Sequence, residues 1–97
     1  MPTFISLLRL TQQGIENVKQ SPARLEAAKK AFKEMGGLIK QNYLVLGQYD
    51  MVIIGEAPDD ETAAKLSLVV GCKGSIRTET MRAFTEAEYR KIIEALP

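Results

Sequence analysis

An α+β domain built on one four-stranded antiparallel sheet is the fold this sequence predicts. Its elements run β-α-β-β-α-β, with an extra helix at the C-terminal end. Three observations carry that prediction. Three stretches are apolar at strand length and a fourth, more polar one follows, two longer stretches between them repeat apolar residues at helical spacing, and Gly, Pro, Ser and Asp mark the boundaries. At 97 residues there is room for one domain, residues 1–97.

Residues 3–10 (TFISLLRL) predict a strand. Phe4, Leu8 and Leu10 point to one face and Ile5 and Leu7 to the other, so both sides need cover. Residues 11–20 are polar, and Ile15 and Val18, three apart, suit one short helical turn. Ser21-Pro22 predicts a helix start, with Ser21 as N-cap and Pro22 in the first helical position. Leu25, Ala28, Phe32 and Met35 form the buried stripe, and Glu26 stands four residues before Lys30. Gly36-Gly37 ends the helix.

Residues 38–46 and 49–57 predict two strands joined by a two-residue turn, Gly47-Gln48. The second carries Met51, Val52, Ile53 and Ile54 in succession, another strand covered on both faces. Pro58 stops it, and Asp59 or Asp60 caps a helix with Ala63, Leu66 and Val70 inward and Gly71 at its end. Residues 75–83 (SIRTETMRA) are polar enough for an edge strand. Thr85 and Glu88 form a capping box for a last helix, whose apolar side is Tyr89, Ile92, Ile93 and Leu96.

This order is the ferredoxin-like split βαβ arrangement. Right-handed crossovers put both main helices on one face of the sheet and place the first and third strands at its centre. The opposite face then carries apolar side chains that the main helices cannot reach. A partner sheet packed face to face buries such a surface, which predicts a homodimer. The last helix is a second way to cover part of it.

Composition narrows the function. The formal charge is +1 and the basic residues are scattered, so no field is built to attract nucleic acid. No segment approaches a membrane span, and the start MPTFISLLRL lacks the basic residues and apolar run of a signal peptide. The single thiol, Cys72, cannot form an internal disulfide, and a cytoplasmic location is expected. The chain contains no histidine and no tryptophan. It cannot itself supply a His-ligated haem, a His-rich metal site or a Ser-His or Cys-His nucleophile, and no metal or cofactor is expected.

Three blocks, LGQYDMVIIGEAPDDETAAKL, TQQGIENVKQSPAR and GSIRTETMRAFTEAEY, together resemble the GYD domain family nearly end to end. The eponymous residues correspond to Gly47, Tyr49 and Asp50. The resemblance implies a dimeric α/β-barrel of the ferredoxin-like type and implies little about activity. The same hairpin is similar to one in the effector-binding modules of feedback transcription regulators, which bind small metabolites. Other relatives of the fold include small monooxygenases, haem-degrading enzymes and lactone isomerases, a kinship of fold alone.

Six residues are candidates for ligand binding. Asp50, at the start of a buried strand, either accepts hydrogen bonds from hairpin amides, pairs with an arginine, or serves as an acid/base group or ligand anchor. Tyr49 points away from Asp50 and either packs or donates its hydroxyl to a ligand. Arg24 and Arg77 can each grip a carboxylate with two nitrogens, or stay solvated or paired. Thr78 and Thr80 share a face of the last strand with Ile76 and Arg82, suiting either the wall of a polar cleft or a solvated edge. The acidic trio Asp59, Asp60 and Glu61 is explained by helix capping.

The leading functional expectation is a non-catalytic module that binds a small anionic metabolite, or a partner protein, between sheet and helices. The alternative is a cofactor-independent monooxygenase or isomerase, with Asp50 as base and Arg77 or Arg24 stabilising negative charge. A third reading is an interaction subunit of an assembly larger than a dimer.

Overall fold

A computed structural model describes all 97 residues. Strand β1 (Thr3–Leu10) and strand β3 (Met51–Glu56) form the centre of the sheet, flanked by β2 (Leu38–Leu44) and β4 (Ile76–Ala83). The order β2-β3-β1-β4, with every pair antiparallel, is the ferredoxin-like one. β4 lies at an edge, as its polar sequence predicts. The register places Ile5 opposite Ile54 and Leu7 opposite Val52, all four on the face turned away from the main helices.

Between β1 and the first long helix, α1 (Gln12–Glu16) and a 3-10 turn (Val18–Gln20) replace the single turn read from the sequence. Thr11 caps α1 by accepting from the Gly14 amide at 3.1 Å, and its hydroxyl donates to the Gly74 carbonyl at 2.5 Å. Gly14 packs so tightly on the segment before β4 that a Cβ would collide with the Ser75 carbonyl oxygen. A long connection is thereby pinned to the sheet.

Helix α2 (Ser21–Glu34) starts one residue before the sequence reading. Gln20, not Ser21, holds the N-cap position, and no side chain caps the helix. The preceding 3-10 turn runs straight into α2, so Ser21 is already helical and Pro22 still falls in the first turn. Gly36, at φ +84°, ends it in the left-handed conformation. Glu26 pairs with Lys29 at 3.5 Å in place of Lys30.

The β2–β3 connection also departs from expectation. It spans residues 45–50, not a two-residue turn, and is closed by the Val45 amide donating to the Asp50 carbonyl at 3.0 Å. Gly47 takes φ +113° at its tip. Tyr49 and Asp50 therefore lie in the loop, ahead of the strand. Between Ile39 and Gln41 the β2–β3 register shifts at a bulge.

Helix α3 (Asp60–Gly71) is capped by Asp59, whose carboxylate accepts from the Thr62 amide at 2.7 Å. That backbone bond, with a second from the Thr62 hydroxyl, holds the Asp59 carboxyl below its ordinary range. Helix α4 (Glu86–Glu94) carries the predicted Thr85/Glu88 capping box, which likewise lowers the Glu88 carboxyl.

α2 and α3 lie on one face of the sheet, and the core sits beneath α3. Leu66 is 1% exposed, with Phe4, Leu8, Ile53, Ala57 and Ala63 also buried. The core is small, because α4 projects from the body without packing on the sheet. Tyr89 and Ile93 remain 57% and 49% exposed. The molecule extends over 52 × 31 × 18 Å with a radius of gyration of 14.5 Å. A compact chain of this length would have a radius of about 12.5 Å.

Candidate functional site

The sheet's helix-facing side is only partly filled. β1 sends Ser6, Leu8 and Leu10 to that side, β3 sends Met51 and Ile53, and β4 sends Ile76, Thr78 and Thr80. Above them α2 presents small residues, Ala27, Ala28 and Ala31, so it does not close against α3. The result is a cavity of about 120 Å³ between the two helices and the sheet. Its walls are mostly apolar, with Leu25, Phe32, Leu66 and Val70 among them.

Polar groups gather at its two ends. Chain direction sets which ones. α2 begins where β1 finishes, and α3 ends at the same side, so Ser21, Arg24 and Lys73 come to the end marked by Leu10 and Ile76. Arg24 Nη1 donates to the Asn17 carbonyl at 3.2 Å, while its Nη2 is buried with no hydrogen-bond partner. Leaving a charged donor unpaired is costly, and a turn of the side chain toward the cavity would let an anion supply the missing partner. Toward the other end the hydroxyls of Ser6 and Ser67 lie 2.9 and 3.0 Å from that of Thr80. These three satisfy one another.

Three of the six residues singled out from the sequence thus line one cavity: Arg24, Thr78 and Thr80. The other three lie elsewhere. Asp50 Oδ2 accepts from the Leu10 amide at 2.8 Å, and its own amide donates to the Leu8 carbonyl at 2.8 Å, so it ties the loop to the end of β1. Tyr49 donates to Glu79 at 3.0 Å and carries the Arg9 guanidinium 4.8 Å above its ring. Arg77 is exposed on the outer face, in register with Arg9. Neither Arg24 nor Arg77 pairs with Asp50.

Sequence reasoning passed over Ser6, Ser67 and Lys73. Ser6 had a signal, a hydroxyl between Phe4 and Leu8 on an otherwise apolar strand face. Lys73 had none, since its place depends on where α3 stops.

The model of the GYD domain family matches residues 4–93. The chain belongs to that family. A GYD relative in Thermus thermophilus is 37% identical over 89 residues, covering 91% of this chain and 94% of the other, and is named glutamine synthetase and cystathionine beta-lyase binding protein. A crystal structure from the same organism matches with a TM-score of 0.55 at 25% identity, over 88% of this chain and 95% of that one. The fold is therefore shared with a sequence well apart from this one. No helix in this member is long and apolar enough to cross a membrane.

Proposed function

We propose that this protein is a non-catalytic regulatory module of the cytoplasm, working as a homodimer and holding a small anionic ligand between α2, α3 and the sheet. The observation that carries this reading is an apolar cavity whose lining gathers two cations, Arg24 and Lys73, at one end and contains no carboxylate. Apolar walls with a few placed polar groups are the usual make-up of a small-molecule site. The relative named for binding two enzymes supports a regulatory output, with protein partners chosen by the state of the module.

The dimer reading rests on surface. A folded monomer of this mass exposes about 5,500 Å². This chain exposes 6809 Å², and a standard interface hides only about 800 Å² per partner. Ile5, Leu7, Val52 and Ile54 lie at the centre of the uncovered face, flanked by Leu38, Tyr43 and Met81. Two such faces packed together give the sheet-on-sheet barrel implied by the family. Assembly beyond a dimer would draw on the unpacked α4.

The alternative, a cofactor-independent enzyme using Asp50 with Arg77 or Arg24, has less support. Of those three only Arg24 lines the cavity, and the Asp50 carboxylate is engaged by the Leu10 amide.

Thermal-shift and calorimetric titration with a panel of small organic anions tests the ligand reading. A ligand at a hundred times its Kd stabilises the fold by about 2.7 kcal/mol. For a domain of this size that raises the melting temperature by roughly 10–20 °C. A panel in which no anion shifts the transition refutes it.

A further inference from the structure

We infer that the cavity selects a monocarboxylate with a short apolar tail of about four to six carbon atoms, its head held by Arg24 and Lys73. The inference rests on reading the cavity as a ligand site and adds the chemical class. Three features set that class.

The first is the sign and placement of charge. Both cations of the lining sit at one end. No aspartate or glutamate lines the cavity. The ammonium group of an α-amino acid would enter beside two cations with no carboxylate to receive it.

The second is the character of the remaining space. Beyond Arg24 the walls are mostly apolar, Leu8, Leu25, Phe32, Ile53 and Leu66 among them, with Thr78 the one hydroxyl beside Leu8. A second charge at the far end of the ligand would be stranded among them, which disfavours dicarboxylates. The far-end hydroxyls of Ser6, Thr80 and Ser67 bond one another and ask nothing of the ligand.

The third is size. The cavity measures about 120 Å³. Apolar cavities of about 150 Å³ accept benzene, a six-carbon guest. A tail of about four to six carbons fills this one, and longer tails must protrude between the helices.

Calorimetric titration with straight-chain carboxylates from acetate to decanoate tests the tail. Hexanamide, norleucine and hexanedioate test the head. Affinity is expected to peak near hexanoate, with the amide, the amino acid and the diacid each at least tenfold weaker. Arg24→Gln should weaken hexanoate at least tenfold and leave hexanamide unchanged. Lys73→Gln should weaken it a few-fold, because Lys73 is exposed. Ala28→Phe, which fills the cavity, should abolish binding with the melting temperature retained. Ala31→Leu asks the same question if that variant does not fold. Equal binding of amide and acid, affinity indifferent to tail length, or hexanoate binding that survives a filled cavity overturns the inference. Arg24-dependent binding of phosphate or hexanedioate without hexanoate overturns this ligand class and leaves the anion-binding module standing. An absence of binding by every anion overturns both.

Discussion

Replacing Ile54 by lysine separates the fold of the single chain from its assembly. Ile54 lies directly opposite Ile5 on the face that no helix covers, and it is already half-buried within the chain. A lysine there can run its stem along the sheet and reach solvent, so the monomer fold should survive. In a two-fold dimer built on this face the change appears twice. Full burial of an isoleucine contributes roughly 1.5–3 kcal/mol. At most about a third of that remains to be gained on pairing, so two copies forfeit roughly 1–2 kcal/mol. Two ammonium groups must also lose water against an apolar partner, at several kcal/mol each. Together these weaken the dimer by at least a thousandfold. Sedimentation velocity from low to high micromolar concentration reads the outcome, with circular dichroism to confirm the fold. The wild type should sediment as a dimer and Ile54→Lys as a folded monomer. A wild type that stays monomeric at high micromolar concentration refutes the dimer. A lysine variant of unchanged dimer mass shows instead that the pairing uses another face.

Other outcomes follow from single contacts. Asp50→Ala removes the acceptor of the Leu10 amide, a charge-assisted bond of about 1.5–3 kcal/mol. A thermal melt should fall by several degrees or more, and a transition unmoved from wild type would mean that this bond does not secure the loop. Gly14→Ala would drive a Cβ into the Ser75 carbonyl oxygen, so α1 or the segment before β4 must shift. The cost is about 1–3 kcal/mol, read by urea unfolding, and an unchanged midpoint contradicts the close approach. The lowered carboxyl of Asp59 makes its cap pH-dependent. That support is complete above the ordinary value of 3.8 and is lost as pH falls through the lower value of the folded state. Asp59→Asn should therefore flatten the acid limb of a plot of melting temperature against pH, and an identical limb in both proteins would show that the cap contributes nothing there.

Strand alternation, helical stripes and capping residues made the sheet order and both main helices legible, because those signals are local. The pairings of β1 with β3 and β4 follow from topology once the elements are known. What failed to show was set by tertiary geometry. The Gly47 turn reads as a two-residue hairpin because the run Tyr43-Leu44-Val45-Leu46 is apolar right up to the glycine. The chain instead leaves the sheet at Leu44, where the Asp50 carboxylate and amide catch the end of β1. That capture is also why Asp50, read from the sequence as a ligand candidate, stands outside the cavity. Arg24, Thr78 and Thr80 were picked by side-chain chemistry, and their convergence depended on the gap left by Ala27, Ala28 and Ala31. Alanine at helical spacing reads equally as close packing and as empty space, and only the distance between α2 and α3 decides which.

The small core, the cavity and the uncovered sheet face have one origin. Only ten of 97 residues are buried, although apolar residues make up 45% of the chain. The missing burial is divided between the two sides of the same pair of strands. Leu8 and Ile53, themselves buried, line a cavity where a tighter protein would place a larger helix side chain, and Leu7 and Ile54 are only half-buried on the outer face. Because alternate residues of β1 and β3 serve opposite faces, neither side can be repaired by a shift of register without exposing the other. A guest in the cavity and a second copy on the outer face would each supply burial that the chain lacks. A fold this close to marginal gains stability from whatever binds its native state. Ligand and partner copy would then complete the structure, and that dependence gives a regulatory module a physical means of registering whether its ligand is present.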